Sequence, residues 1–434
     1  MSNNQQILVY AETITNRLDY IIDTLFNDLA SITTDQAVFA AFDGPKINYS
    51  VQVIDHATIH IYPHGLLAET HIAPQNPVLF KFESKYGFFA TPGTFPFDVF
   101  AAAFYLITRY EEYLPHQTDH LGRYEPTQSL AYQGNFLKVP LVHLWMYTLS
   151  SELNIDIPKK PLSIQPTYDI DIAYSYLHHP ILKNTLGYFK DLMHLKMDKI
   201  SERLEVLGGI QADPYDVYNW LLLLHDSLKL KPLYFFLATT KKNQLHKQVQ
   251  LHSKGFQALV KQHAAFYTVG LHPSATKTDS VAVWQKEKQI LESIVEAPIT
   301  ISRQHYLFLR FPDTYATLIE MGIQEDYSMG YPQINGFRAS YMHPFKWFNL
   351  STNTVTNLTV HPFCYMDATA IFHEKLTAYD AVFQLDLFYE WFLMYGGRLI
   401  AIFHNNLMTT QPDFEPWRNT FADFLIKGCT RERY

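Results

Sequence analysis

At 434 residues, 47% of them hydrophobic, the chain has enough apolar material for a large buried core and for more than one domain. Its charged residues make up only 18%, with 34 basic against 42 acidic for a formal net charge of -8, which leaves no basic surface for a phosphate backbone and excludes nucleic acid as a partner. The two cysteines, Cys364 and Cys429, stand in no CxxC or zinc-knuckle spacing, which excludes a disulfide scaffold or a cysteine metal site and fits reduced thiols in the cytoplasm.

The opening stretch, MSNNQQILVYAETITNRLDYI, lacks the basic and apolar regions of an export signal and turns at once into a strand and an amphipathic helix. INYSVQVI and TIHIYPHG read as short alternating strands. The longest apolar run, Phe95 to Tyr110, carries Asp98 and falls short of the roughly 20 residues of a membrane span, so no span is expected. It reads instead as part of a long helix, Asp98 to Tyr113, with another following at Val142 to Leu153. These elements make residues 1–155 a smaller α/β domain. The proline- and lysine-rich NIDIPKKPLSIQP marks the boundary before a second domain, 161–434.

That second region alternates strands and helices. LSIQPTYDIDIAY is a strand; Asp213 before Pro214 is the expected N-cap of DPYDVYNWLLLLHDSL; KPLYFFLATT is a buried strand. The strands AAFYTVGLH, ITISRQHYLFL, QEDYSM, LTVHPF and RLIAIFHNN follow, separated by helices that include VAVWQKEKQILESIV and AYDAVFQLDLFYEWFLMYGG. Repeated β/α units with apolar strands imply a parallel sheet covered by helices, a barrel or a doubly wound sheet. The charge run from Lys196 to Arg203 reads as a solvated face, and the LLLLH stripe at Leu221 to His225 as core packing.

In both architectures functional groups gather at the carboxyl ends of the strands. That filter selects Asp169, Asp171, His272, Arg303, His305, Asp326, His361 and His404. Side chains alternate along a strand, so Asp169 and Asp171 share a face, as do Arg303 and His305. Two carboxylates on one face repel unless a cation or metal sits between them. Each position also has a plain structural reading: a capped or solvated strand edge for the two acids, a hydrogen-bonded histidine at His272, turn residues at His361 and His404, and an ion pair with Glu325 or Asp326 for Arg303. No GxSxG, GxxxxGK[ST] or GxGxxG occurs, which leaves metal-assisted hydrolysis or a site of carboxylates alone.

The order of these motifs resembles the polysaccharide deacetylase superfamily, and the whole chain resembles a bacterial group of such proteins with an added N-terminal domain. TYDID looks like that family's opening acid pair with Ile170 inserted, PLYFFLATT like its next strand, VGLHPS like its metal-histidine motif, SRQHYL like its arginine motif and LIAIFH like its final histidine strand. The resemblance covers about Pro161 to Asn406. It implies an α/β fold with a distorted parallel (β/α) barrel. It further implies Asp169 as base, Arg303 as the group that orients it, His404 as acid, and Asp171 and His272 as ligands of a divalent metal.

The family's second metal histidine would fall at Thr276. His305, on the face shared with Arg303, replaces it as the third ligand, and two imidazoles with a carboxylate suit zinc. The expected activity is removal of an acetyl group from an N- or O-acetylated carbohydrate, a substrate class that the 15% aromatic content also suits. The rival readings are a metal-free glycoside hydrolase using Asp169 and Asp326, and a non-catalytic carbohydrate-binding protein.

Overall fold

The computed structural model describes residues 6–54, 58–239, 247–275 and 281–431. Thr276 lies outside them. The chain begins with four strands, β1 (Ile7–Ala11), β2 (Ala30–Thr33), β3 (Lys46–Tyr49) and β4 (Ile59–His60), in a parallel sheet of order β2-β1-β3-β4. A short antiparallel hairpin follows, β5 (Phe80–Phe82) with β6 (Lys85–Gly87). The larger sheet holds nine strands: β7 (Lys160–Ile170), β8 (Leu233–Phe236), β9 (Thr268–Leu271), β10 (Ile301–Ser302), β11 (Glu325–Met329), β12 (Phe345–Asn349), β13 (Thr354–Pro362), β14 (Tyr365–Met366) and β15 (Gly396–His404). Their order is β12-β13-β11-β10-β9-β8-β7-β15-β14, parallel throughout except for the β12–β13 pair.

Among the described residues no pairing joins β12 to β14, so the barrel expected from the sequence is an open, curled sheet with two edges. Its concave face is filled by Leu233 and Phe235 of β8, Ile301 of β10, Tyr327 of β11 and Ile400 and Ile402 of β15, a layer of inward side chains like those that fill a parallel barrel. The convex face packs under the helices in a second cluster. That cluster runs from Ile7 to Leu425 and includes the N-terminal sheet. All four residues of β8, LYFF, are buried, as a parallel strand covered on both faces requires.

Several elements end earlier than the sequence pattern suggests. The strand expected across ITISRQHYLFL stops at Ser302, and the chain turns at His305–Leu307, where Tyr306 adopts a left-handed φ of 58°. The strand through TYDID ends at Ile170. The helix expected to Tyr113 stops at Ile107, since Arg109 is left-handed at φ 56°. Asp213 does not cap a helix. The helix begins at Tyr218, and the Asp213 carboxylate instead accepts the backbone N–H groups of Ser175, Tyr176 and Leu177 at 2.8–3.0 Å, where the chain leaves β7. Arg203, in the charge run read as solvated, turns inward to Asp191 at 2.6 Å. The strand read at LTVHPF is the second half of β13, whereas its antiparallel partner β12 and the last helix, Glu415–Arg431, were not expected from the sequence.

A buried ionic network fastens the segment before β7 to the larger sheet. Glu112 Oε1 accepts from Arg109 Nε at 2.8 Å and from Arg338 Nε at 2.9 Å, and Arg338 also donates to Glu112 Oε2. All three residues are buried. Burial alone would raise the Glu112 carboxyl pKa, but the two guanidinium groups hold it below its ordinary value. Exchanging Glu112 for Gln keeps the shape and removes the one carboxylate shared by both buried arginines, leaving Arg109 its second partner, Glu111. We expect Glu112→Gln to lose about 3–5 kcal/mol of unfolding free energy by urea titration, and a loss within error of zero would mean that the network is not structural.

Candidate active site

The carboxyl ends of five neighbouring strands supply the site. Parallel register puts Asp169 of β7 beside His404 of β15 and beside Phe235 of β8, so both functional groups stand on the concave face above the apolar layer. On β9, Gly270 pairs with Phe235; a Cβ there would lie 2.6 Å from that ring, so only glycine lets the two strands approach. The ring packs under the Arg303 guanidinium, 4.5 Å from its centroid.

Backbone hydrogen bonds continue past the last paired residues and place the next groups. His272 N–H donates to Phe236 O at 3.1 Å, Arg303 N–H to Leu271 O at 3.0 Å and His305 N–H to Pro273 O at 3.2 Å. These bonds, rather than strand alternation, bring Arg303 and His305 to the site.

Arg303 is fully buried. Its Nη1 donates to Asp169 Oδ1 at 3.0 Å and to Thr167 Oγ1 at 2.7 Å, and its Nε donates to Tyr327 O at 2.9 Å. Asp169 thus faces a fixed cation. Asp171, one step beyond the end of β7, faces imidazoles: Oδ1 is 3.1 Å from His272 Nε2, and Oδ2 is 3.4 Å from His305 Nε2 and 3.9 Å from His404 Nε2. His272 Nδ1 is fixed by Arg303 O at 2.6 Å, which leaves Nε2 for whatever sits in the site.

One donor atom from each of Asp171, His272 and His305 falls within 4.8 Å of the others, the only such trio of potential ligands among the described residues. Asp171 Oδ1 is buried with no hydrogen-bond donor, despite its 3.1 Å approach to His272. A carboxylate and two imidazoles that converge on one point have the arrangement a cation would satisfy, and the set fits a divalent ion such as zinc.

Charge separates the titrating groups. Burial would raise the Asp171 carboxyl, yet the charges of His305 and His272 hold it well below the usual carboxylate range. Burial lowers His305, against the opposing pull of Asp171. Burial also opposes the charge on His272, but Asp169 and Asp171 outweigh it and raise this imidazole. His404 is raised furthest, to about 10, because Asp367, with smaller contributions from Asp171 and Asp169, overcomes its burial.

Asp367 was missed in the sequence. Its Oδ1 accepts from His404 Nδ1 at 2.6 Å and its Oδ2 from the His404 backbone N–H at 2.8 Å. Its one available signal was an acid directly after the short strand Tyr365–Met366, just as Asp171 follows Ile170. Arg123 was missed too. It lines the cleft and donates to Tyr306 O at 2.8 Å, so the segment before β7 forms part of the wall. The cleft encloses about 230 Å3, with Met366, Leu307 and Phe372 as its apolar lining.

Two of the sequence candidates belong elsewhere. Asp326 is the second residue of β11, fully buried, and accepts from the hydroxyls of Ser302 and Ser328 at 2.9 Å, so it cannot partner Asp169 across a substrate. This removes the carboxylate pair of the glycosidase reading. His361 lies outside the cleft, 3.1 Å from Glu325 and stacked on Tyr327 at 4.4 Å.

The His404–Asp367 pair gives a titration test. Because the folded value is raised, the pair contributes stability that is fully present below the unfolded histidine value of about 6.5 and is lost as pH rises through about 10. In chelator-treated protein followed by NMR, Asp367→Asn should drop the His404 midpoint by roughly two pH units. An unchanged midpoint would show that another group holds the proton.

Comparison with known proteins gives three findings. Residues 7–158 match a family model described as a family of unknown function (DUF7033). No curated protein matches the chain. Among solved structures, a Mycobacterium smegmatis protein provisionally named a polysaccharide deacetylase is 13% identical with a TM-score of 0.38, over 63% of this chain and 85% of its own. The allantoinase Puue is 11% identical with a TM-score of 0.40, over 62% and 84%. A polysaccharide deacetylase from Bacillus cereus is 12% identical with a TM-score of 0.29, over 61% and 88%. The solved structures similar to this chain thus include polysaccharide deacetylases, the superfamily that its motifs resemble.

Proposed function

We propose that this chain is a metal-dependent hydrolase that removes an acetyl group from an N- or O-acetylated carbohydrate. The observation that carries the reading is the convergence of Asp171, His272 and His305 beside two further groups of opposite character, a carboxylate fixed on a buried arginine and an imidazole held protonated by a second carboxylate. Asp171, His272 and His305 would hold a divalent ion, zinc by the donor set. Such an ion polarises a carbonyl and lowers the pKa of water.

The remaining steps belong to the chain's own residues. Asp169 takes the proton of the attacking water as it adds to the acetyl carbon. Arg303, bonded to Asp169 Oδ1, fixes that carboxylate in place and leaves its other oxygen toward the cleft. As the C–N or C–O bond breaks, His404 gives its proton to the leaving amine or alcohol, and the products are acetate and the free sugar group. Asp367 keeps His404 charged until that step and orients it through Nδ1. The division at 1–155 and 161–434 belongs to the same reading and is supported by the extent of the family match.

Elemental analysis of protein purified without a metal-affinity tag is the first test. We expect about one ion per chain, its loss in His272→Ala and in His305→Ala, and its retention in Asp169→Asn. Acetate release from acetylated chito-oligosaccharides should fall at least about a hundredfold in Asp169→Asn. Absence of metal under excess supply, or full activity of Asp169→Asn, would reject the mechanism.

A further inference from the structure

Residues 172–180, after Asp171, lead into a helical hairpin, Ile181–Met193 and Met197–Leu207, whose first helix is turned inside out. Its inward face is polar. Asn184 is buried and donates to Tyr176 O at 2.9 Å; Asp191 pairs with Arg203 at 2.6 Å; and Gly187 lies where a Cβ would come within 2.7 Å of the Arg203 guanidinium. Its outward face is apolar. Leu182, Leu186, Phe189 and Met193 recur at i, i+4, i+7 and i+11, flanked by Ile181 and Leu192, and the six are between 41% and 87% exposed. A soluble helix normally presents the opposite arrangement, and a concentrated exposed apolar patch marks a surface that something covers.

We propose that this face docks on an anionic lipid bilayer. Along this helix and the turn after it, from Ile181 to Met197, the one acid, Asp191, is turned inward on Arg203, while Lys183, which also reaches His179 at 3.0 Å, Lys190 and Lys196 are exposed. Apolar side chains with basic flanks are the composition of a helix that lies in a membrane interface, and each lysine adds attraction to anionic headgroups. A second copy meets the face less well, because a two-fold contact through this helix would bring its lysines together without an acid to pair them.

The hairpin also sits beside the cleft. Glu202 of its second helix accepts from Gln411, in the loop that follows β15 and His404, and the Asn405 side chain bonds the carbonyl of Ile172 just after Asp171. Docking would therefore bring the carboxyl edge of the sheet to the lipid surface. This inference does not depend on the proposed hydrolysis.

Flotation of the full chain with phosphatidylcholine vesicles, with and without phosphatidylglycerol, tests it. Wild type should float with the anionic vesicles at least about tenfold more than with neutral ones. Leu186→Glu/Phe189→Glu should lose binding, and Lys190→Glu/Lys196→Glu, which alters exposed charge alone, should lose the preference for anionic lipid. Failure of wild type to float, or equal binding to both vesicles, would overturn the proposal. So would a dimer in light scattering that Leu186→Glu/Phe189→Glu dissolves, which would assign the face to a second copy.

Discussion

The larger sheet is organised around one buried guanidinium. Arg303 bonds side chains of β7, accepts the ring nitrogen that follows β9 on its own carbonyl, donates to a carbonyl of β11 and lies over a ring of β8. A cation cannot sit at that depth without a counter-charge, because its desolvation would go uncompensated. Asp169 supplies the counter-charge, and Gly270 supplies the space for the ring beneath. The glycine on one strand, the aromatic ring on the next and the acid on a third are therefore parts of one arrangement. A change to any of them would reach the cleft through Arg303.

That constraint explains why a strand entering a core carries two acids. Asp169 is the fixed partner of a buried cation, whereas Asp171, with its side chain 25% exposed against 4% for Asp169, stands at the mouth among three imidazoles. Two carboxylates one residue apart thus avoid mutual repulsion because each has its own positive field. The imidazoles are separated by the same logic. His305 is lowered by burial, His272 is raised by two acids against its burial, and His404 is raised furthest by a carboxylate of its own. One cleft therefore holds three imidazoles in three different electrostatic settings.

The segment before β7 contributes to the same edge of the sheet. Arg17 donates to Asn353 in the β12–β13 turn at 2.8 Å, Tyr20 to Lys346 O at 2.8 Å, and Arg123 to the turn that carries His305. Together with the buried Glu112 network these part-buried contacts hold the N-terminal sheet against the larger one. At the other side of the cleft the hairpin after β7 reverses the usual polarity of a surface helix, with its polar side chains satisfied inward and its apolar ones left outside.

The sequence by itself determined what local pattern can carry. Continuous apolar runs identified β8 and the ends of β7 and β15, helical periodicity identified Val281–Val295 and Ala378–Tyr395, and the position of polar residues after those runs identified Asp169, Asp171, His272 and His404. These are short-range signals, each legible within about a dozen residues. Only the tertiary structure decided the rest. Asp326 reads like a site acid until the hydroxyls of Ser302 and Ser328, from two adjacent strands, are seen to enclose it. Asp367 reads as an ordinary loop acid until parallel pairing of β14 with β15 sets it under His404. Arg303 and His305 reach the cleft through backbone bonds to β9 and its loop, although the strand expected to carry them ends before either. Partners in each case are separated by tens to hundreds of residues, and no local pattern records which distant side chain will supply the missing charge.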